Sequence, residues 1–198
     1  MPASKSARAL WGSPERREKL LSGAALFFIV ATGAGLRLYG LGEQSVWFDE
    51  WQIVTELNAP SLFSFLRAER AHDWYMTPVY FVFQYIWAHG IARSDTGIRV
   101  LSVVIGCSSI VLLYFFGREL FGRRAGLIAA LCMSLSFFHL FQAQELRPYA
   151  LMVMWALLSA YTFVRVVRGG SRYWWVAHAV ANVLLVWTHL FGAFLFVA

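Results

Sequence analysis

The sequence predicts an all-α protein built from several membrane-spanning helices, and three observations support this prediction. Of its 198 residues, 59% are hydrophobic and only 14% are charged, whereas about a quarter of the residues of a soluble domain are charged. Long apolar runs without formal charge recur along the chain. The basic residues form short clusters between these runs, which indicates a topology signal rather than a nucleic-acid surface. We therefore expect a polytopic transmembrane helical bundle and no nucleic-acid partner.

The apolar runs allow about five spans and the beginning of a sixth, since one span needs roughly 20 residues. The predicted spans are 20–38, 100–117, 125–144, 148–164 and 173–188, followed by a turn at 189–192. We interpret residues 1–19 as a cytoplasmic tail, because they are polar and basic and the next run lacks a cleavage motif. The whole chain, 1–198, is then one membrane domain. Because it stops inside a helix, we expect it to be the N-terminal part of a longer module.

The segment 74–92 decides the topology, because it carries no formal charge but has only a short strongly apolar run. If it crossed the membrane, the basic loops 118–124 and 165–172 would both lie outside, against the positive-inside rule. If it does not cross, both loops are cytoplasmic. We therefore predict that residues 41–96 form one outer loop, and that the polar residues described next face the outside.

Within this loop, short amphipathic helices are predicted at 49–58 and 61–70, on either side of Pro60. Juxtamembrane helices of this kind lie on a membrane rather than cross it. In the second helix, we expect Phe65 to face lipid and Glu69 to face water.

An acidic pair among aromatic residues is the most unusual feature of the outer loop. Asp49 and Glu50 are adjacent, and Trp47, Phe48 and Trp51 surround them. Two neighbouring carboxylates at a membrane surface repel each other and are costly to desolvate, which favours a functional site. The alternative is an interfacial loop with ordinary aromatic anchors.

A second polar group, formed by Glu145, Arg147 and Tyr149, joins two predicted spans around Pro148. Proline suits the first turn of a helix, so Arg147 should lie at the N-terminus of the following span. An arginine fork beside the N–H groups of a helix end makes a phosphate site. The alternatives are that Arg147 pairs with Glu145 or extends towards the lipid head groups.

Two histidines complete the candidates on the outer side. His189 ends a predicted span, and His72 lies in the outer loop. Each is by default a hydrogen-bonding or solvated residue. With Asp49 or Glu50 nearby, either histidine is also a candidate ligand for substrate or for a divalent cation, as is Glu145.

The order of these features resembles the N-terminal part of the GT-C membrane glycosyltransferases of the protein O-mannosyltransferase and aminoarabinose transferase superfamily, also called glycosyltransferase family 39. The resemblance covers nearly the whole chain. Its motifs are Leu36-Arg37-Leu38, Trp47-Phe48-Asp49-Glu50, Thr77-Pro78-Val79-Tyr80, Gly97-Ile98-Arg99-Val100-Leu101-Ser102, Phe121-Gly122-Arg123-Arg124-Ala125-Gly126, Glu145-Leu146-Arg147-Pro148-Tyr149 and Thr188-His189. One departure is Met76-Thr77-Pro78, where the family usually has a His-Pro-Pro-like sequence.

The resemblance implies transfer of a sugar from a polyprenyl-phosphate carrier to a lipid, protein or glycan acceptor at the outer face of a bacterial inner membrane. It implies that Asp49 is the catalytic base, which takes the proton of an acceptor hydroxyl. Glu50 would orient Asp49, position the acceptor or bind a cation. Arg147, with Tyr149, is the first candidate to bind the donor phosphate. A divalent cation is then optional, and no cofactor is required.

Such a reaction also predicts a geometry. The base and the phosphate-binding cation act on opposite faces of the anomeric carbon. We therefore expect Asp49 and Arg147 to face a shared cleft across a gap of about one sugar ring, not in a salt bridge, with His189 on the rim.

The alternative function is that of a non-enzymatic transporter or lipid-binding membrane protein. A transporter would place ionisable groups near the middle of the membrane, and the predicted spans contain almost none.

Overall fold

The computed structural model describes residues 14–43, 45–72 and 77–196, so most of the predicted tail and Met76 lie outside the described residues. All regular structure within these ranges is helical, which confirms the predicted all-α class. The helices are α1 (Pro14–Leu38), α2 (Phe48–Glu56), α3 (Leu62–His72), α4 (Pro78–Gly90), α5 (Asp95–Phe121), α6 (Arg123–Leu135), α7 (Phe137–Gln142), α8 (Tyr149–Val167) and α9 (Arg172–Thr188), followed by a 3-10 helix at Leu190–Phe196.

The longest helix, α5, is the centre of the bundle. It packs along α6 and α8 and also contacts α1 and α4, while α9 packs against α8 and contacts α4. The N-terminus of α5 is capped by Ser94, whose hydroxyl accepts a hydrogen bond from the Gly97 N–H at 3.1 Å. Because α5 contacts both the short helix α4 and the long helices, it connects the predicted outer loop to the membrane bundle.

Three of the described helices, α1, α5 and α8, are long and apolar enough to cross a membrane. The predicted span 173–188 corresponds to α9, which has 17 residues. The prediction of a continuous span over 125–144 is wrong, because the helix is interrupted at Ser136 between α6 and α7. The backbone of Ser136 is extended there, and its hydroxyl accepts from the N–H of His139 in the first turn of α7.

A buried arginine stabilises this interruption. Arg37, near the end of α1, has no exposed surface. Its guanidinium donates to the carbonyl oxygens of Met133 at 3.3 Å and Ser134 at 3.2 Å, which belong to the last turn of α6. Carbonyls at a helix end lack helical partners, so they are suitable acceptors for a buried cation. The guanidinium also lies 2.7 Å from the Nδ1 atom of His139.

The short helices of the predicted outer loop are present as α2 and α3, and α4 has 13 residues, fewer than the roughly 20 that a span needs. The predicted orientation of α3 is wrong, because Phe65 is fully buried and Glu69 is only 2% exposed. α3 packs against α2 and α4. An apolar face loses contact with water equally against protein or lipid, so the amphipathic pattern alone did not distinguish the two.

The main hydrophobic core lies where the short helices meet α5 and the start of α8. Its buried members come from α2, α3, α4, α5, the loop before α8, and α8 itself, and include Ile53, Phe65, Tyr80, Ile98, Leu146 and Leu151. Burial of one such side chain contributes about 1.5–3 kcal/mol. The core therefore fixes the beginning of α8 relative to α2, although about a hundred residues separate them in sequence.

Two glycines allow α5 and α6 to approach at backbone distance. A Cβ atom on Gly126 would lie 2.6 Å from the carbonyl oxygen of Tyr114 and 2.9 Å from the backbone nitrogen of Arg118. A Cβ atom on Gly117 would lie 3.1 Å from the Cα atom of Gly126. Small residues at helix crossings are the usual way in which membrane helices pack closely.

Substitution Gly126→Ala should therefore force α5 and α6 apart and lower the free energy of unfolding by about 1–3 kcal/mol. The matched control is Gly23→Ala in α1, where a Cβ atom would meet no described atom within 4 Å. The measurement is unfolding of the detergent-solubilised protein by a denaturant. Equal midpoints for the two variants would contradict the close approach at Gly126.

Candidate active site

The acidic pair lies in the first turn of α2, and the helix turns its two carboxylates in different directions. Glu50 reaches back to the backbone N–H of Trp47 at 3.3 Å, in the arrangement of a capping box. Asp49 points outwards, with 60% of its side chain exposed, whereas Glu50 is only 2% exposed. Acidic residues at a helix N-terminus are favoured by the helix dipole. Only Asp49 is accessible to a substrate.

The buried carboxylate of Glu50 joins three parts of the chain. It accepts a hydrogen bond from the Arg99 guanidinium at 2.7 Å and one from the backbone N–H of Leu146 at 2.8 Å. Arg99 lies in the second turn of α5, and Leu146 lies in the loop between α7 and α8. Glu50 thus links the start of α2 to α5 and to the residues that precede α8.

Arg99 is a residue to which sequence reasoning assigned no role. Its guanidinium also donates to the carbonyl oxygens of Leu41 at 3.2 Å and Ser45 at 3.4 Å, so it holds the chain that leads into α2. Its side chain is 3% exposed. The signal available in the sequence was one charged residue near the start of a long apolar run, a place where charges need partners.

Asp49 and Arg147 lie together, as the sequence predicted, but the predicted gap between them is wrong. The Arg147 guanidinium is 3.4 Å from the Asp49 carboxylate and forms an ion pair with it. Asp49 precedes Glu50, and Arg147 follows Leu146. The hydrogen bond between Glu50 and Leu146 therefore brings Asp49 and Arg147 side by side. Both are partly exposed, with 31% of the Arg147 side chain accessible. The attraction between the two opposite charges closes the gap expected from the sequence.

Aromatic rings line the other side of Arg147. The guanidinium lies over the ring of Tyr149 at 5.8 Å from its centroid, within the range of a cation–π contact. The Tyr149 ring is 5.5 Å from that of His189. The His189 Nδ1 atom accepts from the N–H of Phe191 at 3.2 Å. The structure therefore places His189 next to Tyr149, at the edge of the same group.

Glu145 is half-buried in the same loop. Burial and then the nearby carboxylate of Glu50 raise the pKa of Glu145, whereas Arg147 and Arg99 act in the opposite direction. Asp49 raises it further. Such a pKa is typical of a carboxyl group that exchanges a proton during a reaction, although buried ion pairs also produce it.

His72 lies apart from these residues. Its contact is with Glu56, 3.6 Å away, at the end of α2 opposite to Asp49. Within the described residues, no group of three or more His, Cys, Asp or Glu side chains is arranged to hold a metal ion. The predicted role of His72 in substrate or cation binding stays a prediction, as do those of His189 and Glu145 with Asp49 or Glu50.

Gln144 fixes the loop from the side of α1. Its side-chain amide donates to the carbonyl oxygens of Arg37 and Tyr39, each at 3.0 Å. These carbonyls lie in the last turn of α1 and directly after it, where helical partners are missing. The loop that carries Glu145 and Arg147 is therefore held by α1 on one side and by Glu50 on the other.

Substitution Glu50→Gln should lower the free energy of unfolding by about 3–5 kcal/mol, because it leaves the buried charge of Arg99 without its carboxylate. Addition of Arg99→Met to this variant should recover part of the loss. The control is Glu43→Gln at an exposed position, with a change within about 0.5 kcal/mol. Denaturant unfolding measures all three variants. Equal stability of Glu50→Gln and Glu43→Gln would show that the buried pair does not hold the site together.

Comparison with known proteins adds one finding. The family model described as dolichyl-phosphate-mannose-protein mannosyltransferase matches residues 62–198, more than two thirds of the chain. The matched range includes Arg99, Glu145 and Arg147 but begins after Asp49 and Glu50. No curated protein matches the sequence. The family match and the helical membrane architecture agree, and the chain belongs to the dolichyl-phosphate-mannose-protein mannosyltransferase family of GT-C membrane glycosyltransferases.

Proposed function

We propose that the protein transfers a sugar, such as mannose, from a polyprenyl-phosphate carrier to an acceptor hydroxyl, with Asp49 as the base and Arg147 as the phosphate-binding group. The observation that carries this proposal is the accessible pair of Asp49 and Arg147, 3.4 Å apart on a buried support. Glycosyl transfer from a lipid phosphate needs a carboxylate and a cation that both reach the same bound substrate.

The leaving phosphate fits the position of Arg147. Arg147 precedes the N-terminus of α8, where unpaired N–H groups and the helix dipole favour an anion. A partly exposed ion pair contributes only about 0–1 kcal/mol, whereas an arginine can bind a phosphate through two charge-assisted hydrogen bonds. The donor phosphate is therefore able to displace Asp49 from Arg147. Tyr149 remains beside the guanidinium and limits its movement.

Displacement of Asp49 releases the carboxylate for the acceptor. As the acceptor oxygen attacks the anomeric carbon, the bond from that carbon to the phosphate oxygen breaks and the hydroxyl proton passes to Asp49. The products are the glycosylated acceptor and the polyprenyl phosphate, whose negative charge Arg147 stabilises. Glu50 acts as a positioning residue in this scheme, because it is buried and its oxygens are occupied by Arg99 and Leu146.

Glu145 and His189 are proposed to contact the transferred sugar. Both lie beside the central pair, Glu145 through its position in the same loop and His189 through the Tyr149 ring. A divalent cation, if the reaction uses one, would bind at Asp49 and Glu145, the carboxylates on the accessible side. Divalent cations such as Mg²⁺ prefer such oxygen ligands.

The proposed orientation places this site outside the cell or in the periplasm and the N-terminus in the cytoplasm. The basic loops lie at one end of the bundle, where they form ion pairs. Arg123 pairs with Glu18 near the start of α1, and Arg165 and Arg168 pair with Glu119 near the end of α5. Asp49 follows the other end of α1, and Arg147 precedes the start of α8, so both lie at the opposite end of the bundle. Because basic loops are normally cytoplasmic, the site faces the outside of the membrane. In a bacterium, this membrane would be the inner membrane.

The variant Asp49→Asn should lose roughly two to four orders of magnitude in turnover, because it removes the general base but keeps the shape of the side chain. The matched control is Glu56→Gln, which changes a carboxylate at the other end of the same helix. The assay follows labelled mannose from polyprenyl-phosphate mannose into endogenous acceptors of membranes that contain the protein. Near-normal turnover of folded Asp49→Asn would rule out Asp49 as the base.

The variant Arg147→Gln should raise the KM for the lipid donor about tenfold or more, since it removes a charge-assisted contact to the phosphate. Arg147→Lys should fall in between, because lysine keeps the charge but lacks the planar fork. Arg124→Gln, which removes an exposed arginine of the basic loops, serves as the control. The same assay with varied donor concentration gives KM for each variant. An unchanged KM in Arg147→Gln would contradict phosphate binding by this residue.

A further inference from the structure

A cleft lies at the other end of α2 from Asp49. Its volume is about 440 Å³, within the range of roughly 300–1,000 Å³ typical of sites for small molecules. Three walls enclose it: the turn after α2, one face of α4, and the loop that leads into α5. The residues that matter for its chemistry are Leu57, Asn58, Tyr85, His89, Arg93 and Asp95.

The cleft has a partly apolar lining and a polar rim. Leu57, Ala88 and Ile98 are almost covered by the protein itself, so the apolar surface open to a ligand comes mainly from the half-buried Val54 and Ala59 and the exposed Pro60. Asn58 and Arg93 are exposed at its edge. A ligand in this position can contact these accessible apolar side chains while its polar groups bond to the rim.

The rim offers charges of both signs and no excess of either. Arg93 and Asp95 are both exposed, and neither forms an ion pair among the described residues. One positive and one negative group cancel, so the rim does not favour a phosphate or another strongly charged ligand. Both groups can instead form hydrogen bonds with hydroxyl groups.

An aromatic surface completes the cleft. The rings of Tyr85 and His89 are stacked, with their centroids 3.9 Å apart. The His89 Nδ1 atom lies 2.9 Å from the carbonyl oxygen of Tyr85. Because a carbonyl oxygen can only accept a hydrogen bond, Nδ1 is the donor. In the neutral ring, this leaves the Nε2 atom as an acceptor. This half-buried pair thus adds aromatic surface and a ring nitrogen to the lining of the cleft.

We propose that this cleft binds a neutral oligosaccharide. A sugar ring combines an apolar face with many hydroxyl groups, and it matches a lining of accessible apolar and half-buried aromatic side chains together with a rim of balanced charge. A polyprenyl chain would leave the rim groups without hydrogen-bond partners, at a cost for each polar group that it buries. A phosphate would gain Arg93 but would be repelled by Asp95.

The cleft is placed to hold an extended acceptor. Leu57, the residue directly after α2, follows Asp49 by eight residues, which corresponds to about 12 Å at 1.5 Å per residue. A glycan with its reacting hydroxyl at Asp49 reaches this distance with a few sugar units. The role of the bound glycan as the acceptor rests on the proposed function, whereas glycan binding itself does not.

The test is binding of the intact, detergent-solubilised protein to immobilised linear tri- to pentasaccharides of mannose, glucose, galactose and N-acetylglucosamine. At least one of these should bind, and Tyr85→Leu should weaken that binding about tenfold, because it removes an aromatic contact surface. Tyr173→Leu, at an exposed tyrosine in the first turn of α9, should bind as the wild type does. Since Tyr85 also packs against Phe65, the exposed variants Asn58→Ala and Arg93→Gln provide the same test with little risk to folding.

Two outcomes would overturn the proposal. One is the absence of binding to every oligosaccharide. A neutral Gly-Ser peptide is tested in parallel, and binding of the peptide alone also counts as this outcome. The other is binding that Tyr85→Leu, Asn58→Ala and Arg93→Gln all leave unchanged, because the glycan would then occupy another site. Neither measurement involves transfer, so failure of the cleft is distinguishable from normal turnover in Asp49→Asn, which would overturn the proposed function alone.

Discussion

The buried carboxylate of Glu50 is the interaction on which the arrangement of the site depends. One oxygen binds the Arg99 guanidinium and the other binds the backbone N–H of Leu146. A carboxylate without such partners would not be stable in an apolar core, so its burial and the position of the loop are fixed together. Asp49 and Arg147 follow as the accessible neighbours of the two linked residues. The chemistry proposed for them rests on a support that a substrate does not touch.

A second set of polar contacts constrains the same loop from the membrane side. Arg37 at the end of α1 binds the carbonyls freed where α6 is interrupted, and Gln144 binds the carbonyls freed at the end of α1. The end of α6 thus receives hydrogen bonds from Arg37 of α1, and the end of α1 receives them from Gln144 in the loop before α8. Because α7 leads directly into the loop with Glu145, the interruption at Ser136 helps to set where that loop lies. A continuous helix over 125–144 would direct the chain differently.

Local patterns predicted the helices well and their surroundings less well. The basic flanks and apolar runs indicated the long helices, and Pro60 separated α2 from α3 as expected. The same patterns did not distinguish lipid from protein as the partner of α3, and Phe65 and Glu69 both proved to be buried. The interruption at Ser136 was also missed. Its main stabilising group, Arg37, is about a hundred residues away in sequence, and no local pattern records that contact.

The sequence by itself determined the membrane class of the protein, the family resemblance, and the candidate residues Asp49, Glu50 and Arg147. Those conclusions depend on composition, short-range spacing and the order of motifs, which the chain carries without folding. Only the tertiary structure decided that Glu50 is buried, that Arg99 is its partner, and that Asp49 and Arg147 form an ion pair rather than face each other across a gap. Two adjacent residues of a helix point in different directions, and which of them is buried depends on the elements that pack against that helix.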